Sequence, residues 1–330
     1  MKILITGGTG FIGFRLANRL LEKEKVSGPD GQLAQIDEMV LFDALIPDTK
    51  PAGLDERISI VAGDISDEKA VSALVDRDDI SIFHLASVVS GGGEQDFDLA
   101  MRVNLDGGRN VLEAARGRAS TPRVVFASSI AAFGGDHMPK SVGDDTKQNP
   151  QTTYGMTKAI GELMINDYTR KGFIDGRSAR LPTVIIRPGK PNAAASSFVS
   201  GVFREPLNGV DFTLPVKTET VMPLLGYRAI VDGIIALHEL TGEKLGTDRA
   251  LSLPALTVTV EEMIAALIAA AGNRPLGQIS VEPDPFIEEI VATWPLDTHY
   301  DRAAALGLPR ENSLEEIVRY YIADYLEPSE

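Results

Sequence analysis

The first 23 residues contain the feature that most restricts the fold: a glycine-rich turn between a short apolar run and an amphipathic stretch. Lys2–Thr6 is apolar and partly β-branched, which predicts a buried strand, and Phe14–Lys23 has the periodicity of a helix. Glycines between them allow a tight turn, close approach of the backbone to a pyrophosphate and close packing of the helix on the sheet. An ordinary turn is the alternative, but the strand before it and the helix after it favour a dinucleotide site. Its expected residues are Gly7, Gly10, Phe11, Ile12 and Gly13.

An acidic residue ends the second predicted strand, Met39–Asp43. In dinucleotide-binding folds such an acid bonds the adenosine ribose. It comes later than the usual interval of about 20 residues, because the turn-rich segment Ser27–Gln32 lengthens the preceding loop. No Arg or Lys follows Asp43 until Lys50, so a carboxylate would repel a 2′-phosphate and no adjacent base would bind one. The sequence therefore predicts NAD rather than NADP, with a surface acid at a strand end as the alternative.

Charge and residue usage exclude several classes of protein. The chain has 47 acidic and 32 basic residues and a net charge of −15, which argues against binding to nucleic acid or anionic membranes. It has no cysteine and four scattered histidines, so we expect neither a disulfide framework nor a metal site. The first strand begins at once and no apolar stretch reaches membrane-spanning length. We therefore expect no signal peptide and a cytoplasmic protein.

Strand and helix signals alternate to about residue 190, which predicts an α/β fold with a doubly wound parallel sheet of the Rossmann type. The other predicted strands are Ile58–Val61, Ile80–Leu85, Arg123–Ala127 and Pro182–Ile186. We expect residues 1–190 to form an NAD-binding domain, and residues 191–330 to form a smaller substrate-binding lobe partly interleaved with it. Ligands of such sheets bind at the carboxyl ends of the strands. Asp43, Asp64, Ala86, Ser129 and Pro188 all fall at or just beyond such ends.

Tyr154 and Lys158 stand four residues apart in a predicted helix, so their hydroxyl and ammonium groups lie on one face. A free tyrosine has a pKa of about 10, too high for a base near neutrality. A fixed cation beside it favours phenolate, and lowering the pKa by about 2–3 corresponds to about 3–4 kcal/mol. Such a pair also occurs often by chance, so its weight depends on the motifs around it.

Five ordered motifs resemble those of the extended short-chain dehydrogenases/reductases, the group that includes nucleotide-sugar epimerases and dehydratases. They are Thr6–Gly13, Asp64–Ile65, His84–Ser87, Asn104, and Ser128–Ser129 with Tyr154 and Lys158. The resemblance covers the whole chain and implies further cofactor contacts beyond the glycine turn. The expected residues are Asp43, Asp64, Ile65, Leu85, Ala86, Ser87, Asn104, Tyr154, Lys158, Pro182 and Thr183.

The resemblance also implies the chemistry. Tyr154 takes the proton of a substrate hydroxyl while a hydride leaves for the nicotinamide. Lys158 stabilises the phenolate and holds the nicotinamide ribose, and Ser129 donates to the substrate oxygen. The spacing to Phe133-Gly134, where relatives have Tyr-Gly, favours Ser129 over Ser128.

Residues 180–198 lack the Asn-Val-Tyr-Gly-Pro-like segment of sugar-nucleotide relatives. They resemble instead the branch of this family that oxidises the C2 hydroxyl of a four-carbon sugar acid, such as D-erythronate, with NAD. A small sugar acid needs a cation for its carboxylate and short polar groups for its hydroxyls. The candidate residues are Ser87, Ser90, Ser129, Tyr154, Arg187, Lys190, Asn192, Ser196, Ser197 and Arg228. Arg228 is the cation expected to reach the carboxylate, with a salt-bridging surface arginine as the alternative.

Two other functions stay open at this point. One is a nucleotide-sugar epimerase or reductase, and the other is a non-catalytic NAD(H)-sensing regulator. Intact Ser129, Tyr154 and Lys158 argue against the regulator, which has no need of all three. In this family the helices near residues 98–116 and 153–171 usually pair across a homodimer, so a homodimer is expected.

Weaker signals concern three segments. Ser87–Glu94, with three glycines, is predicted as a loop near the nicotinamide. Arg204–Pro223 is predicted as loop with short strands. Thr259–Glu262 and Ser313–Glu316 are predicted capping boxes, each at the start of a helix.

Overall fold

The computed structural model describes residues 1–47, 54–190 and 196–327. Its strands are β1 (Lys2–Thr6), β2 (Lys25–Ser27), β3 (Leu33–Gln35), β4 (Glu38–Asp43), β5 (Ile58–Ala62), β6 (Ile80–His84), β7 (Arg123–Ser129), β8 (Ser141–Val142), β9 (Asp175–Leu181), β10 (Thr183–Ile185), β11 (Phe212–Leu214), β12 (Val221–Gly226), β13 (Ala250–Ser252), β14 (Leu256–Thr259), β15 (Ile279–Val281) and β16 (Asp297–Thr298).

The α-helices are α1 (Phe11–Lys23), α2 (Glu68–Leu74), α3 (Ser90–Gln95), α4 (Phe97–Ala100), α5 (Gly107–Arg116), α6 (Thr153–Arg170), α7 (Ser197–Leu207), α8 (Tyr227–Glu239), α9 (Gly242–Leu245), α10 (Val260–Ala271), α11 (Pro285–Ala292), α12 (Asp301–Ala305) and α13 (Leu314–Tyr321). Met101–Asp106 and Ile322–Leu326 are π-helical, and Ile130–Ala132 is a 3-10 turn.

Seven strands form one sheet in the order β13-β9-β7-β6-β1-β4-β5. β1 is buried along its whole length and pairs in parallel with β4 on one side and β6 on the other, with Lys2 opposite Glu38 and Ile80. The strand order therefore changes direction at β1, which confirms the predicted doubly wound sheet. In such sheets the ligand crevice lies outside the carboxyl ends of the strands at this switch point.

The chain forms two compact units, each assembled from three segments. The first contains residues 1–132, 152–180 and 231–251, and the second contains residues 133–151, 181–230 and 252–330. The first unit has a core of strand and helix residues that includes Leu4, Val40 and Ile82. The predicted division of function between residues 1–190 and 191–330 stays a prediction.

The second unit contains small sheets, β10-β12-β14, β11-β15 and β16-β8. Arg204 is not in a loop, as predicted, but lies buried inside α7. Ser, Gly and Pro give this helix a low intrinsic propensity, and the apolar residues on its buried face stabilise it instead. They are Phe198, Val199, Val202, Phe203 and Leu207.

The two predicted helix starts are found, with one difference between them. Thr259 and Glu262 form a reciprocal capping box at α10. At α13 the Ser313 side chain accepts from the Glu316 N–H, but the Glu316 carboxylate accepts from Asn312 instead. Within the described ranges no helix is both long enough and apolar enough to cross a membrane, and no cluster of three potential metal-ligating side chains occurs.

A buried arginine closes the carboxyl end of α8 in the first unit. Arg177, fully buried in β9, donates from Nη1 to the carbonyls of Leu237 (3.2 Å), His238 and Leu240 (3.1 Å). Its Nη2 pairs with the Asp175 carboxylate at 2.5 Å. The last carbonyls of a helix have no partners within the helix, so one guanidinium satisfies several of them together.

We expect Arg177→Leu to lower the free energy of unfolding by about 3–5 kcal/mol, because it leaves a partly buried carboxylate and helix-end carbonyls without this donor. Urea unfolding followed by circular dichroism measures the change. Arg170→Leu is the matched control. Arg170 is 67% exposed and pairs with Asp167 on the surface, so we expect a change of about 0–1 kcal/mol. Equal effects of the two substitutions would contradict the role given to Arg177.

Candidate active site

The glycine turn before α1 is shaped by backbone contacts that exclude side chains. Gly7 has a φ of 69°, in the left-handed region that favours glycine. A Cβ atom on Gly7 would lie 2.8 Å from the amide nitrogen of Ala86, and one on Gly13 would lie 2.3 Å from the Gly7 carbonyl oxygen. No side chain caps α1 at Gly10. The turn therefore leaves room for a phosphate at the positive end of the helix dipole.

Asp43 ends β4 beside this turn. Its carboxylate accepts hydrogen bonds from the backbone N–H groups of Thr9 (3.2 Å) and Leu45 (3.3 Å). The side chain is thereby fixed at the carboxyl end of the strand, where folds of this kind bind the adenosine ribose. The glycine-rich turn and this carboxylate together fit a dinucleotide whose ribose carries no 2′-phosphate, which is NAD.

Two other predicted cofactor residues follow β5. The Asp64 carboxylate accepts from the N–H (2.9 Å) and the hydroxyl (2.7 Å) of Ser66, and these bonds lower the pKa of Asp64. Ile65 is buried against Gly107, on which a Cβ atom would lie 2.6 Å from Ile65 Cγ2. Their contact with the adenine stays a prediction.

Asn104 connects the loop after β6 to α6. Its side chain accepts from the Val88 N–H at 2.7 Å and donates to the Val88 carbonyl at 3.0 Å and the Thr157 hydroxyl at 3.1 Å. Asn104 lies in the π-helical segment, and π-helical turns are frequent at functional sites. Asn104 thus fixes the loop that carries three predicted cofactor residues, Leu85, Ala86 and Ser87.

The start of α6 is fixed from two sides. The Thr152 hydroxyl accepts from the Gly155 N–H at 3.0 Å, and the Glu94 carboxylate accepts from the Thr153 N–H at 2.8 Å. Glu94 belongs to α3, so this part of the predicted loop is helical. α3 packs beside this turn, since a Cβ on Gly93 would lie in ordinary contact, 3.7 Å from the backbone nitrogen of Tyr154. These contacts hold Tyr154 in the first turn of α6.

The three predicted catalytic side chains meet where β7 ends against α6. The Ser129 side chain lies beside the Tyr154 hydroxyl. Lys158 is one turn further along the helix and is buried. Its Nζ donates to the carbonyl of Ala127 at 2.7 Å and lies 5.3 Å from the centre of the Tyr154 ring. The i, i+4 spacing thus puts both side chains on the face of α6 that packs on β7, and their catalytic roles stay predictions.

Burial has the largest effect on the pKa values of Tyr154 and Lys158. It raises the pKa of Tyr154 above its usual value, and the hydrogen bond from Ser129 opposes that rise. It also lowers the pKa of Lys158 to about 7, against the field of the Glu162 carboxylate. Desolvation of the phenol thus opposes the lowering of the Tyr154 pKa that the spacing predicts, and that lowering stays a prediction.

Ser128 and Ser129 have different partners. Ser129 faces Tyr154, and its Oγ also accepts from the Ala131 N–H at 3.1 Å. Ser128 is buried and donates to Glu162. The preference for Ser129 agrees with this placement. Glu162 was not among the predicted site residues, although it stands four residues beyond Lys158 and the same helical spacing predicts that it shares the face.

The candidate substrate residues of the second unit have their own partners. The Arg187 guanidinium donates to the carbonyl of Lys190 at 3.1 Å. Arg228 pairs with the Asp324 carboxylate through Nη2 (2.5 Å) and Nε (3.1 Å), and lies 4.1 Å from the centre of the Tyr320 ring. Arg228 is thus a salt-bridged arginine, and its role toward a substrate stays a prediction.

The remaining predicted residues have these positions. Ser90 begins α3, Ser196 precedes α7 and Ser197 begins it. Pro182 is buried between β9 and β10, and Thr183 begins β10, paired with Leu224. Lys190 is exposed, and Asn192 lies outside the described residues.

Comparisons with known proteins agree with this geometry. The model of the NAD dependent epimerase/dehydratase family matches residues 3–245. The chain is 48% identical over 98% of its length, and 98% of the relative's, to the D-erythronate dehydrogenase of Cupriavidus necator. It is 39% identical to that of Haemophilus influenzae, over 98% of this chain and 99% of the relative.

A solved structure is similar over nearly the whole fold. The nucleoside-diphosphate-sugar epimerase from Agrobacterium tumefaciens superimposes with a TM-score of 0.91 at 40% identity, covering 100% of this chain and 95% of that one. The glycine turn, the strand-end acid, the Ser129–Tyr154–Lys158 arrangement and these matches lead to one assignment. The chain belongs to the NAD-dependent epimerase/dehydratase family, the extended short-chain dehydrogenases/reductases, and its cofactor is NAD.

Proposed function

We propose that this enzyme oxidises the C2 hydroxyl of D-erythronate to 2-dehydro-D-erythronate with NAD. The observation that carries the proposal is the 48% identity, over 98% of both chains, to a relative named D-erythronate dehydrogenase. The segment of residues 180–198, which lacks the motif of sugar-nucleotide relatives, supports the same substrate class.

The proposed reaction separates a hydride from a proton. NAD⁺ supplies the acceptor for the hydride from C2 and leaves as NADH. Tyr154, as phenolate, takes the proton of the C2 hydroxyl, and Ser129 donates a hydrogen bond to that oxygen. The Lys158 ammonium stabilises phenolate at a distance of one helical turn. The C2 hydroxyl thereby becomes the C2 carbonyl of the 2-oxo acid.

A second candidate is a nucleotide-sugar epimerase, and one observation favours it. The similar structure from Agrobacterium tumefaciens carries that name at 40% identity. A 4-epimerase retains its reduced cofactor through the cycle, whereas a dehydrogenase releases NADH in every turnover. The two reactions therefore differ in net NADH formation, as does a regulator that binds NAD(H) without turnover.

The test is NADH formation at 340 nm with purified protein, NAD and a panel of C4–C6 sugar acids beside UDP-sugars. Steady turnover with D-erythronate supports the proposal. D-Threonate and the L-isomers in the same panel report the stereochemistry. Conversion of a UDP-sugar without net NADH would assign the chain to the epimerases. Binding of NADH with turnover of no substrate would favour the regulator.

The substrate carboxylate needs a cation, and we propose Arg187 before Arg228. The described partner of the Arg187 guanidinium is a neutral carbonyl, whereas Arg228 faces the Asp324 carboxylate. Arg187→Met should raise the KM for D-erythronate about 10–100-fold, the loss of a hydrogen bond to a charged group worth about 1.5–3 kcal/mol.

Arg228→Met is the matched comparison, and its KM should change less than that of Arg187→Met. The KM for NAD is the internal control and should stay constant in both variants. A larger increase in the KM for D-erythronate in Arg228→Met would instead assign the binding of the substrate carboxylate to Arg228.

The homodimer is proposed on the family resemblance, and the cytoplasmic location on the sequence patterns alone. Light scattering at micromolar protein tests the first, and a monomeric mass would contradict it.

A further inference from the structure

Three consecutive residues at the end of β7 each lie against a different turn of α6. Ser129 lies beside Tyr154, the carbonyl of Ala127 accepts from Lys158, and Ser128 donates to Glu162. The α6 partners are spaced four residues apart and so lie in one row along the helix. The row continues one turn beyond the two residues that the proposed reaction uses.

The Glu162 carboxylate is buried and held by charge-assisted hydrogen bonds. Glu162 is 2% exposed and Arg180, on β9, is 4% exposed. Arg180 donates from Nε to both carboxylate oxygens (3.0 and 3.1 Å) and from Nη2 to Oε2 (2.7 Å), and Ser128 donates at 2.5 Å. Burying an ion pair is costly unless each charge is well satisfied. A buried pair so close to the reacting residues calls for a role beyond packing.

The charges around Lys158 indicate what the Glu162–Arg180 pair does. The described titratable groups near Lys158 are Tyr154, His84 on β6, and Glu162 with its partner Arg180. His84 is buried with its Nδ1 bonded to Thr6, and its pKa is lowered to about 3, so it is neutral. The Glu162 carboxylate is thus the charge that favours the ammonium form of Lys158 against desolvation.

We propose that Glu162 is a positioning residue that keeps Lys158 in its ammonium form and holds α6 in register with β7, and that Arg180 and Ser128 fix the Glu162 carboxylate in place. Glu162 acts through Lys158 and does not touch the reacting atoms. The kinetic part of this inference rests on the proposed function, and the electrostatic part does not.

The inference is testable because Glu162 and Arg180 carry opposite charges. The two charges shift the pH at which Lys158 loses its proton in opposite directions. Glu162→Gln removes a negative charge and leaves the Arg180 guanidinium unopposed, so Lys158 should lose its proton at a pH lower by about 1. Arg180→Met leaves the carboxylate, so Lys158 should lose its proton at the wild-type pH or above it. If the Glu162–Arg180 pair only stabilised the packing, the two substitutions would disturb the same contacts. They would then not shift the Lys158 midpoint in opposite directions.

The experiment follows Lys158 directly. Protein labelled with ¹³C at the lysine ε-carbon is titrated by NMR, and the Lys158 signal is assigned by its loss in Lys158→Met. The same variants are assayed for NADH formation from D-erythronate across pH, where loss of the ammonium appears as the falling alkaline limb. In each variant, we expect the pH of this alkaline limb to shift in the same direction as the NMR midpoint of Lys158.

The comparison is repeated in a second background in case Glu162→Gln does not fold. Glu162→Gln/Arg180→Met removes both charges, and replacing a whole buried pair by uncharged groups is often tolerated. Its Lys158 midpoint should lie below that of Arg180→Met. Ser128→Ala changes no charge and should leave the midpoint within about 0.3 of wild type, since it removes one hydrogen bond only.

Two results would overturn the inference: a Lys158 midpoint that stays in place when the carboxylate is removed in either background, or one that moves in the same direction in Glu162→Gln and Arg180→Met. If wild-type protein turns over no sugar acid, the proposed function fails. The NMR titration then still decides the role of Glu162.

Discussion

Tyr154→Phe should reduce turnover of D-erythronate about 10²–10⁴-fold, the usual contribution of a positioned general base. The substitution removes one oxygen, which lies beside Ser129, and retains the ring at the start of α6. The affinity for NADH and the free energy of unfolding should therefore change little. NADH formation at 340 nm measures the first quantity, and fluorescence titration and urea unfolding measure the other two.

The same helix offers a matched control. Tyr168 lies in the last part of α6 and donates to Glu113, away from Ser129 and Lys158. Tyr168→Phe makes the same chemical change in the same element, and turnover should stay within about twofold of wild type. The assignment of Tyr154 as the base fails if Tyr154→Phe retains more than about one tenth of wild-type turnover.

Gly13→Ala should weaken NADH binding about 100-fold. The added Cβ would lie 2.3 Å from the Gly7 carbonyl oxygen and 2.8 Å from the Gly8 Cα. These are backbone atoms, so α1 and the turn must separate, and the N–H groups aimed at the pyrophosphate move with them. Losing hydrogen bonds to charged oxygens worth about 3 kcal/mol corresponds to about two powers of ten in affinity. Overpacking should also lower the free energy of unfolding by about 1–3 kcal/mol.

Gly117→Ala is the control for this substitution. Gly117 ends α5 with a φ of −71°, and its closest neighbour to an added Cβ is the Ala114 carbonyl oxygen at 3.4 Å. A methyl group fits there in ordinary contact, so the dissociation constant for NADH should change by less than about twofold. A Gly13→Ala protein with the same affinity as this control would show that the turn does not bind the pyrophosphate.

Much of the sheet could be predicted because its signals are local. The apolar run before the glycine turn predicted β1 at Lys2–Thr6, where it is found, and the alternation of strands and helices predicted the doubly wound parallel sheet. The start of α1 was placed three residues too late, since glycines conceal the first turn of a helix. α3 was predicted as a loop for the same reason. There, packing of Gly93 beside Ala100 and the Tyr154 backbone outweighs a low helix propensity.

In the candidate site, too, contacts between residues close in sequence could be predicted, and contacts between distant residues could not. Tyr154 and Lys158 could be found because both belong to one helix and the spacing alone puts them together. Arg180 could not, since it is 18 residues from Glu162 and reaches it through the position of β9 beside β7 in the sheet. The salt bridge between Arg228 and Asp324, 96 residues apart, is beyond sequence patterns for the same reason.

The first unit consists of three separate segments of the chain, so its parts are synthesised at different times. When residue 190 leaves the ribosome, the glycine turn and the catalytic row of α6 have been synthesised, but α8 and the edge strand β13 have not. Arg123 and Arg177 then lack the α8 carbonyls that they bind in the finished protein, and β9 presents an unpaired edge. The NAD-binding sheet therefore closes only after about 60 further residues, several seconds later at ordinary rates of translation. During that interval we expect the nascent chain to expose an unpaired strand edge and two arginines that are buried in the finished protein, and a chain truncated there to be prone to aggregation.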